Sequence, residues 1–223
     1  MENKLKRLNS LYTELEKTKE AFLNSSVRVM EAGNKKLFTL DFLALSVNNR
    51  AISLINAYLD LIKNKNFLTA VTLTRLQLDN ALRFFASTLV NDSNDFALHF
   101  IEGKPIKDYK DINNKNLSDG YLTKKLDQFF PGTQKLYTEA CSYIHLSDRH
   151  FLATITKPNS KNGIVGVLVG SSENLNYNQK IEFTSTMLEV CKLVLIVVEN
   201  WIDEKEKISK EIENRNSKSK IPY

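Results

Sequence analysis

The sequence is short of helix breakers and of cysteine. Its 223 residues include only 7 Gly and 4 Pro, which excludes collagen-like and low-complexity chains. The two cysteines, Cys141 and Cys191, each sit in an apolar helical pattern. That excludes a disulfide scaffold, and buried thiols of this kind act as small hydrophobes. Two Cys and three His at these spacings make no zinc signature. Unpaired cysteines point to a reducing compartment, hence the cytoplasm. Long apolar runs are missing too. Val194 to Val198, extended back through Leu193, is stopped by Lys192, far short of the roughly 20 residues a membrane-spanning helix needs. Met1-Glu2-Asn3-Lys4 opens a charged amphipathic pattern and not a signal peptide. Gly-rich phosphate loops, G-x-S-x-G, H-E-x-x-H and EF-hand loops are absent, so no metal or cofactor is expected. Gly166-Val167-Leu168-Val169-Gly170 falls in an expected strand and is no phosphate cradle.

What is present is a globular composition, 42% hydrophobic and 26% charged. The length fits a single domain over residues 1–214, with a frayed tail at 215–223. A formal charge of +5 is a modest positive excess, compatible with contact to nucleic acid or an anionic surface.

Helical periodicity dominates. Leu5, Leu8, Tyr12, Leu15, Phe22 and Val29 recur at three- and four-residue steps over residues 2–31, closed by Gly33-Asn34. A second helix is expected over 39–63 and a third over 67–90, joined by Asn64-Lys65-Asn66. Short connections of this kind favour antiparallel neighbours. A short helix at 96–101 ends at Gly103, a loop holds 113–116, and a helical piece covers 118–130. Pro131 suits the first turn of a helix over 132–146. The period then changes: 151–156 and 164–169 read as strands of a hairpin around the turn-rich 158–163. A long helix follows over 178–214, apolar nearly all round as far as Trp201. Beyond Ile202, acid–base pairs such as Asp203–Lys207 read as an exposed helix. The expected fold is mainly α: an antiparallel helical bundle with one β-hairpin before a long C-terminal helix.

Charge inside an apolar stripe marks the first candidate site. Leu68, Val71, Leu78 and Leu82 define a face of the third helix, and Arg75 falls on it, with Asp79 and Arg83 on successive turns. A buried charge is costly unless paired. Arg75 is either an ion-pair partner of Asp79 at the core edge or a cleft arginine that meets an anion such as phosphate. Arg-before-acid is the weaker order on a helix, so helix stability alone does not explain the pair. The second candidate is the segment Tyr143–His150, which holds His145, Ser147, Arg149 and His150. His145 is either a core histidine at a helix C-terminus, where a cation is favoured, or a general acid/base. His150 could fill that second role, with Arg149 steadying a phosphate. Tyr143 and Ser147 would support either. His99, among Phe96, Leu98 and Phe100, reads as structural.

The run from Arg75 through Asp79 to Arg83, followed by Tyr137, Cys141, Tyr143, His145 and Ser147, resembles an uncharacterised all-helical bacterial family. There an R-x-x-x-[DE] helix precedes a Y-x-x-x-[SC]-x-[YF]-x-H-x-S helix. In outline it is similar to the HEPN superfamily, over residues 66–150. The resemblance implies a small, often dimeric helical bundle of a defence or toxin–antitoxin module that binds or cleaves RNA without metal. The R-x4-6-H motif of the catalytic members is absent: Arg149 and His150 are adjacent, and His145 precedes Arg149. An RNase site would therefore need Arg75 to meet His145 across helices, with His145 as acid/base and Arg75 and Arg149 on the phosphate. The alternative is a non-catalytic interaction module, a homodimer or a binder of another protein. In it Arg75, Asp79 and His145 form a polar cluster that sets helix register.

Overall fold

Helices form wherever the apolar stripes recur, and they end where capping groups take over the free backbone N–H and C=O groups. The computed structural model describes residues 1–155, 166–167, 169 and 175–218. Among them run α1 (Glu2–Glu31), α2 (Thr39–Lys63), α3 (Phe67–Phe85), α4 (Ser93–Ile101), α5 (Asp119–Asp127), α6 (Thr133–Ile144), α7 (Asp148–Thr154) and α8 (Tyr177–Lys218). Short 3-10 turns at Ala86–Leu89 and Ile106–Asp108 complete the set. No helix among the described residues is long and apolar enough to cross a membrane.

The core lies between α1, α2, α3 and α8. Leu15, Phe22 and Val29 meet Ala51, Ile55 and Tyr58, with Leu78, Leu82, Val194 and Val198 closing the centre, all buried. Side-chain contacts set the directions. Asn48 donates to Ser26 and Lys19 to Asn56, so α2 runs back along α1. Arg50 reaches Asp79 and Asn80, so α3 runs back along α2. The antiparallel order expected from short connections holds for these three. Helix α8 departs from it. Lys192 pairs with Glu14 and Arg28 with Glu199, while Lys180 lies over the Phe67 ring and Gln77 donates to Cys191. It therefore runs parallel to both α1 and α3. The long connection through α4–α7 permits this, as long crossovers do in other bundles.

A buried ion pair ties the end of α1 and the start of α2 to the interior of α8. Lys205 of α8 and Asp41 of α2 are both 0% exposed, with Nζ and Oδ2 2.8 Å apart. Lys205 Nζ also donates to the Val29 carbonyl at 2.6 Å, at the end of α1. Asp41 accepts from Trp201 Nε1 and from the Phe38 backbone N–H, each at 2.7 Å. The α1–α2 turn passes so close that a Cβ on Gly33 would lie 2.4 Å from Ser209 Oγ. Gly33 also has a φ of +62°, a region that glycine tolerates best. Most of α8 beyond Ile202 is exposed, as expected, but the face that carries Lys205 and Ser209 is buried. Lys205 turns inward, and Lys207 pairs with Glu204 instead of Asp203.

Three further expectations change. Residues 151–154 continue α7 and are not a strand. Ser147 and Asp148 are helix-start residues, and the Ser147 carbonyl accepts from the N–H groups of His150 and Phe151 at 3.1 and 3.3 Å. Local hydrogen bonding there overrides β propensity, which is strongly context-dependent. Of the second expected strand, only part is described. One isolated antiparallel bridge joins Ile155 to Val167, and residues 156–165 lie outside the described residues. Pro131 precedes α6 without entering its first turn. Gly132, at φ +99°, is the N-cap, and Asp127 Oδ1 accepts from the N–H groups of Gly132 and Gln134. Finally, α8 continues to Lys218, past the expected end at 214, and residues 219–223 lie outside the described residues.

The Lys205–Asp41 pair makes a measurable prediction. Lys205→Met leaves the Asp41 charge buried and lowers the free energy of unfolding by about 3–5 kcal/mol. Adding Asp41→Asn recovers part of that loss in urea unfolding. A double variant no more stable than Lys205→Met would mean that packing, and not charge pairing, sets the loss.

Candidate functional site

Helix α3 carries its polar residues on a face that three other helices cover. Of its charged residues Arg75 is the most deeply placed, its side chain 9% exposed. Its Nη2 donates to the Tyr137 hydroxyl at 2.8 Å and to Asp119 Oδ2 at 3.2 Å. The guanidinium also stacks on the Tyr137 ring, with Cζ 4.1 Å from the centroid. The helical partner Asp79 is farther, 3.8 Å from Nη1. Asp79 is instead held by Arg83 Nε and Arg50 Nη1, each at 3.1 Å. Arg83 closes the ring through its Nη1, 2.6 Å from Asp119 Oδ1.

Local sequence explains how α5 and α6 deliver Asp119 and Tyr137. The Ser118 hydroxyl accepts from the Tyr121 N–H and so starts α5. This places Asp119 in the first turn, where a carboxylate is favoured by the helix dipole. The Asp127 cap fixes the start of α6, and Tyr137 follows one turn later. The Tyr137 hydroxyl accepts from Arg75 and donates to Asp119 Oδ2 at 3.1 Å, so it bridges cation and anion. Burial pushes the Asp119 carboxyl up, but the Arg83 hydrogen bond and charge, the Tyr137 hydroxyl and the Arg75 charge outweigh it. Its pKa therefore lies below the ordinary value. Burial likewise works against the Arg75 charge, and Cys141 and Tyr137 beside it more than offset that, so its pKa is raised.

The network continues into the core. Arg50 Nη1 donates to Asn80 Oδ1 at 2.7 Å, Asn80 donates to Gln77, and Gln77 donates to the Cys191 sulfur at 3.3 Å. Burial pushes the Cys191 thiol up to about 12, despite the Gln77 hydrogen bond, so it stays protonated and inert. Three arginines and two aspartates thus neutralise one another to a single net positive charge. Such a set holds helices in register. It leaves Arg75 little room to meet a ligand anion, because its neighbours already occupy Nη2 and the ring covers its face.

The remaining expected residues lie elsewhere. His145 is the exposed C-cap of α6, eight residues beyond Tyr137, which is about 12 Å along a helix. No hydrogen bond or ion pair among the described residues joins it to Arg75, Asp79 or Asp119. Tyr143 packs edge-on to Phe183 of α8 at 5.5 Å and lies 6.4 Å from the His150 ring. His150 Nδ1 accepts from the Ser147 N–H at 3.4 Å, and the Ser147 hydroxyl donates to the Ser142 carbonyl at 2.6 Å. Arg149 belongs to α7, and its side chain lies outside what is described. His99 sits with Nε2 3.1 Å from the Pro105 carbonyl and its ring against Tyr109. No group of three or more His, Cys, Asp or Glu among the described residues is placed to hold a metal ion.

Sequence reasoning missed Asp119 and Arg50. Ser118-Asp119 is a legible helix start, yet nothing in it announces that α5 docks on Arg75. A carboxylate held below its ordinary range binds its proton more readily in the unfolded chain. Its contribution is full at neutral pH, above the unfolded-state value of about 4, and is lost as pH falls through the lower folded-state value. Urea unfolding from about pH 7 to about pH 3 checks this. Asp119→Asn is expected to be less stable at neutral pH and to lose less on acidification than wild type. Equal slopes would remove Asp119 from the energetics of the cluster. Set against known proteins, the chain matches no family model, no curated protein sequence and no solved structure.

Proposed function

We propose that the protein is a non-catalytic helical interaction module whose Arg75–Asp119–Tyr137 cluster sets the register of its helices. The observation that carries this reading is the burial of Arg75: Nη2 makes two hydrogen bonds, the Tyr137 ring covers one face, and Nε, although without a hydrogen-bond partner, is shut off from solvent and so from an RNA phosphate. An RNase of the HEPN type, placed in a defence or toxin module, would call for His145 beside that guanidinium. The exposed His145 at the far end of α6 speaks against this pairing. The polar cluster of the interaction reading is thus built from Arg75, Asp79, Arg83, Asp119 and Tyr137, without His145.

The partner surface in this reading is the outer face of α1. Leu23, Val27 and Met30 stand 57%, 46% and 44% exposed there, at steps of four and three residues. An apolar stripe of that spacing suits a partner helix, and a second copy of this chain is the simplest occupant.

Incubation of wild type, Arg75→Ala and His145→Ala with a mixed RNA pool in EDTA tests the reading. No variant should cleave or retain RNA. Arg75→Ala should lose about 1.5–3 kcal/mol of stability, the worth of hydrogen bonds to a charged group, and His145→Ala should be neutral. RNA cleavage by wild type that vanishes in a folded His145→Ala would overturn the proposal. In sedimentation equilibrium, a wild-type dimer that Val27→Glu splits into monomers would support a second copy as partner. A monomeric wild type would rule it out.

A further inference from the structure

A cleft opens where α3, α6 and α8 meet, separate from the Arg75 cluster, with a volume of about 180 Å³. Val71 and Ala140, both buried, form its floor. Tyr143 and Phe183 form an aromatic wall, their rings 5.5 Å apart and edge to face. The exposed Glu139 from α6 and Glu182 from α8 line the same cleft.

The charges here run against the rest of the chain. The protein carries a net +5, yet both charged residues that line this cleft are acidic. The only ion pair of Glu139 among the described residues is with the exposed Lys135, at 3.8 Å. The Glu182 carboxylate has no ion pair there; the hydrogen bond from Thr186 goes to its backbone carbonyl. An anion is disfavoured by these carboxylates. A bare metal ion would find an apolar floor and too few oxygen ligands. A cation with a hydrocarbon body fits both halves: carboxylates and aromatic faces attract its head, and the floor takes its chain. Size limits the body. A cavity of about 150 Å³ accepts a molecule as large as benzene, so this cleft takes a chain of about four to six carbons.

We infer that the cleft between α3, α6 and α8 binds a small aliphatic amine. Its ammonium head is held at the rim by Glu182 and Glu139, and its carbon chain lies on Val71, Ala140 and Phe183. The ligand bridges α6 to α8, which meet at the Tyr143–Phe183 pair. The inference is independent of the interaction-module reading, because none of these residues belongs to the Arg75 cluster or to the α1 face.

Calorimetric titration of the full chain with n-butylamine and with 1,4-diaminobutane, at fixed ionic strength, tests it. Butan-1-ol and butyrate serve as the neutral and anionic controls of the same chain length. Saturable binding of at least one amine is expected, with a Kd of about 1 mM or tighter. Glu182→Gln, a change at an exposed position, should weaken it about tenfold, equivalent to about 1.4 kcal/mol. Ala140→Leu, with its fold checked by thermal melting, should abolish it by filling the floor, while Glu182→Gln provides a reading that does not depend on core packing. Two results would overturn the inference: no saturable binding of either amine, or binding of butan-1-ol as tight as butylamine and indifferent to Glu182→Gln.

Discussion

A charge removed from water must find a partner, and the bundle depends on how it meets that demand at Lys205. Desolvating an ammonium and a carboxylate costs several kcal/mol for each ion. Lys205 and Asp41 offset it with their mutual contact, the Val29 carbonyl, the Trp201 indole and the Phe38 N–H. These partners come from the end of α1, the start of α2 and the far part of α8. Satisfying one lysine therefore draws two helix ends to one point on α8. The Lys205–Val29 contact lies in line with Lys192–Glu14 and Arg28–Glu199, which together run α8 parallel to α1. Gly33 is needed where it is because the turn must pass Ser209 and Lys205 within contact distance.

The same demand organises the other side of the bundle. Arg75 is buried on α3, and its answer comes from Asp119 and Tyr137, residues of the long connection. Pairing them docks α5 and α6 against the four-helix core. Arg83 and Arg50 share the two aspartates, and Asn80 and Gln77 carry the chain of hydrogen bonds inward to Cys191. A cluster that pairs its charges internally in this way, with only the buried Arg75 Nε left without a hydrogen bond, behaves as scaffold. Outside this network lie the acidic, aromatic-walled cleft beside α6 and the apolar outer stripe of α1.

How far these features were legible varies by kind. The stripes of α1, α2 and α3 were readable because helical periodicity is local, and Gly33 and Asn64 marked the ends of the first two. Arg75 was readable as an anomaly because it interrupts an apolar face. Its main partner was not. Asp79 is four residues away and sequence favours it, whereas the closer Asp119 lies 44 positions downstream. Phe151 to Thr154 misled for the opposite reason. Their residue types favour a strand, yet the Ser147-Asp148 start just before them opens a helix that carries them along.

The sequence by itself determined a helical chain with a buried arginine, two unpaired thiols and a modest positive charge. Each of these follows from residue type and from spacing within a few turns. The tertiary structure alone decided that α8 runs parallel to α1, that Lys205 turns inward, and that Asp119 and not His145 answers Arg75. The reason is distance along the chain. Asp41 and Lys205 are 164 positions apart, and a local pattern can show that a charge needs a partner without saying which remote element will bring it.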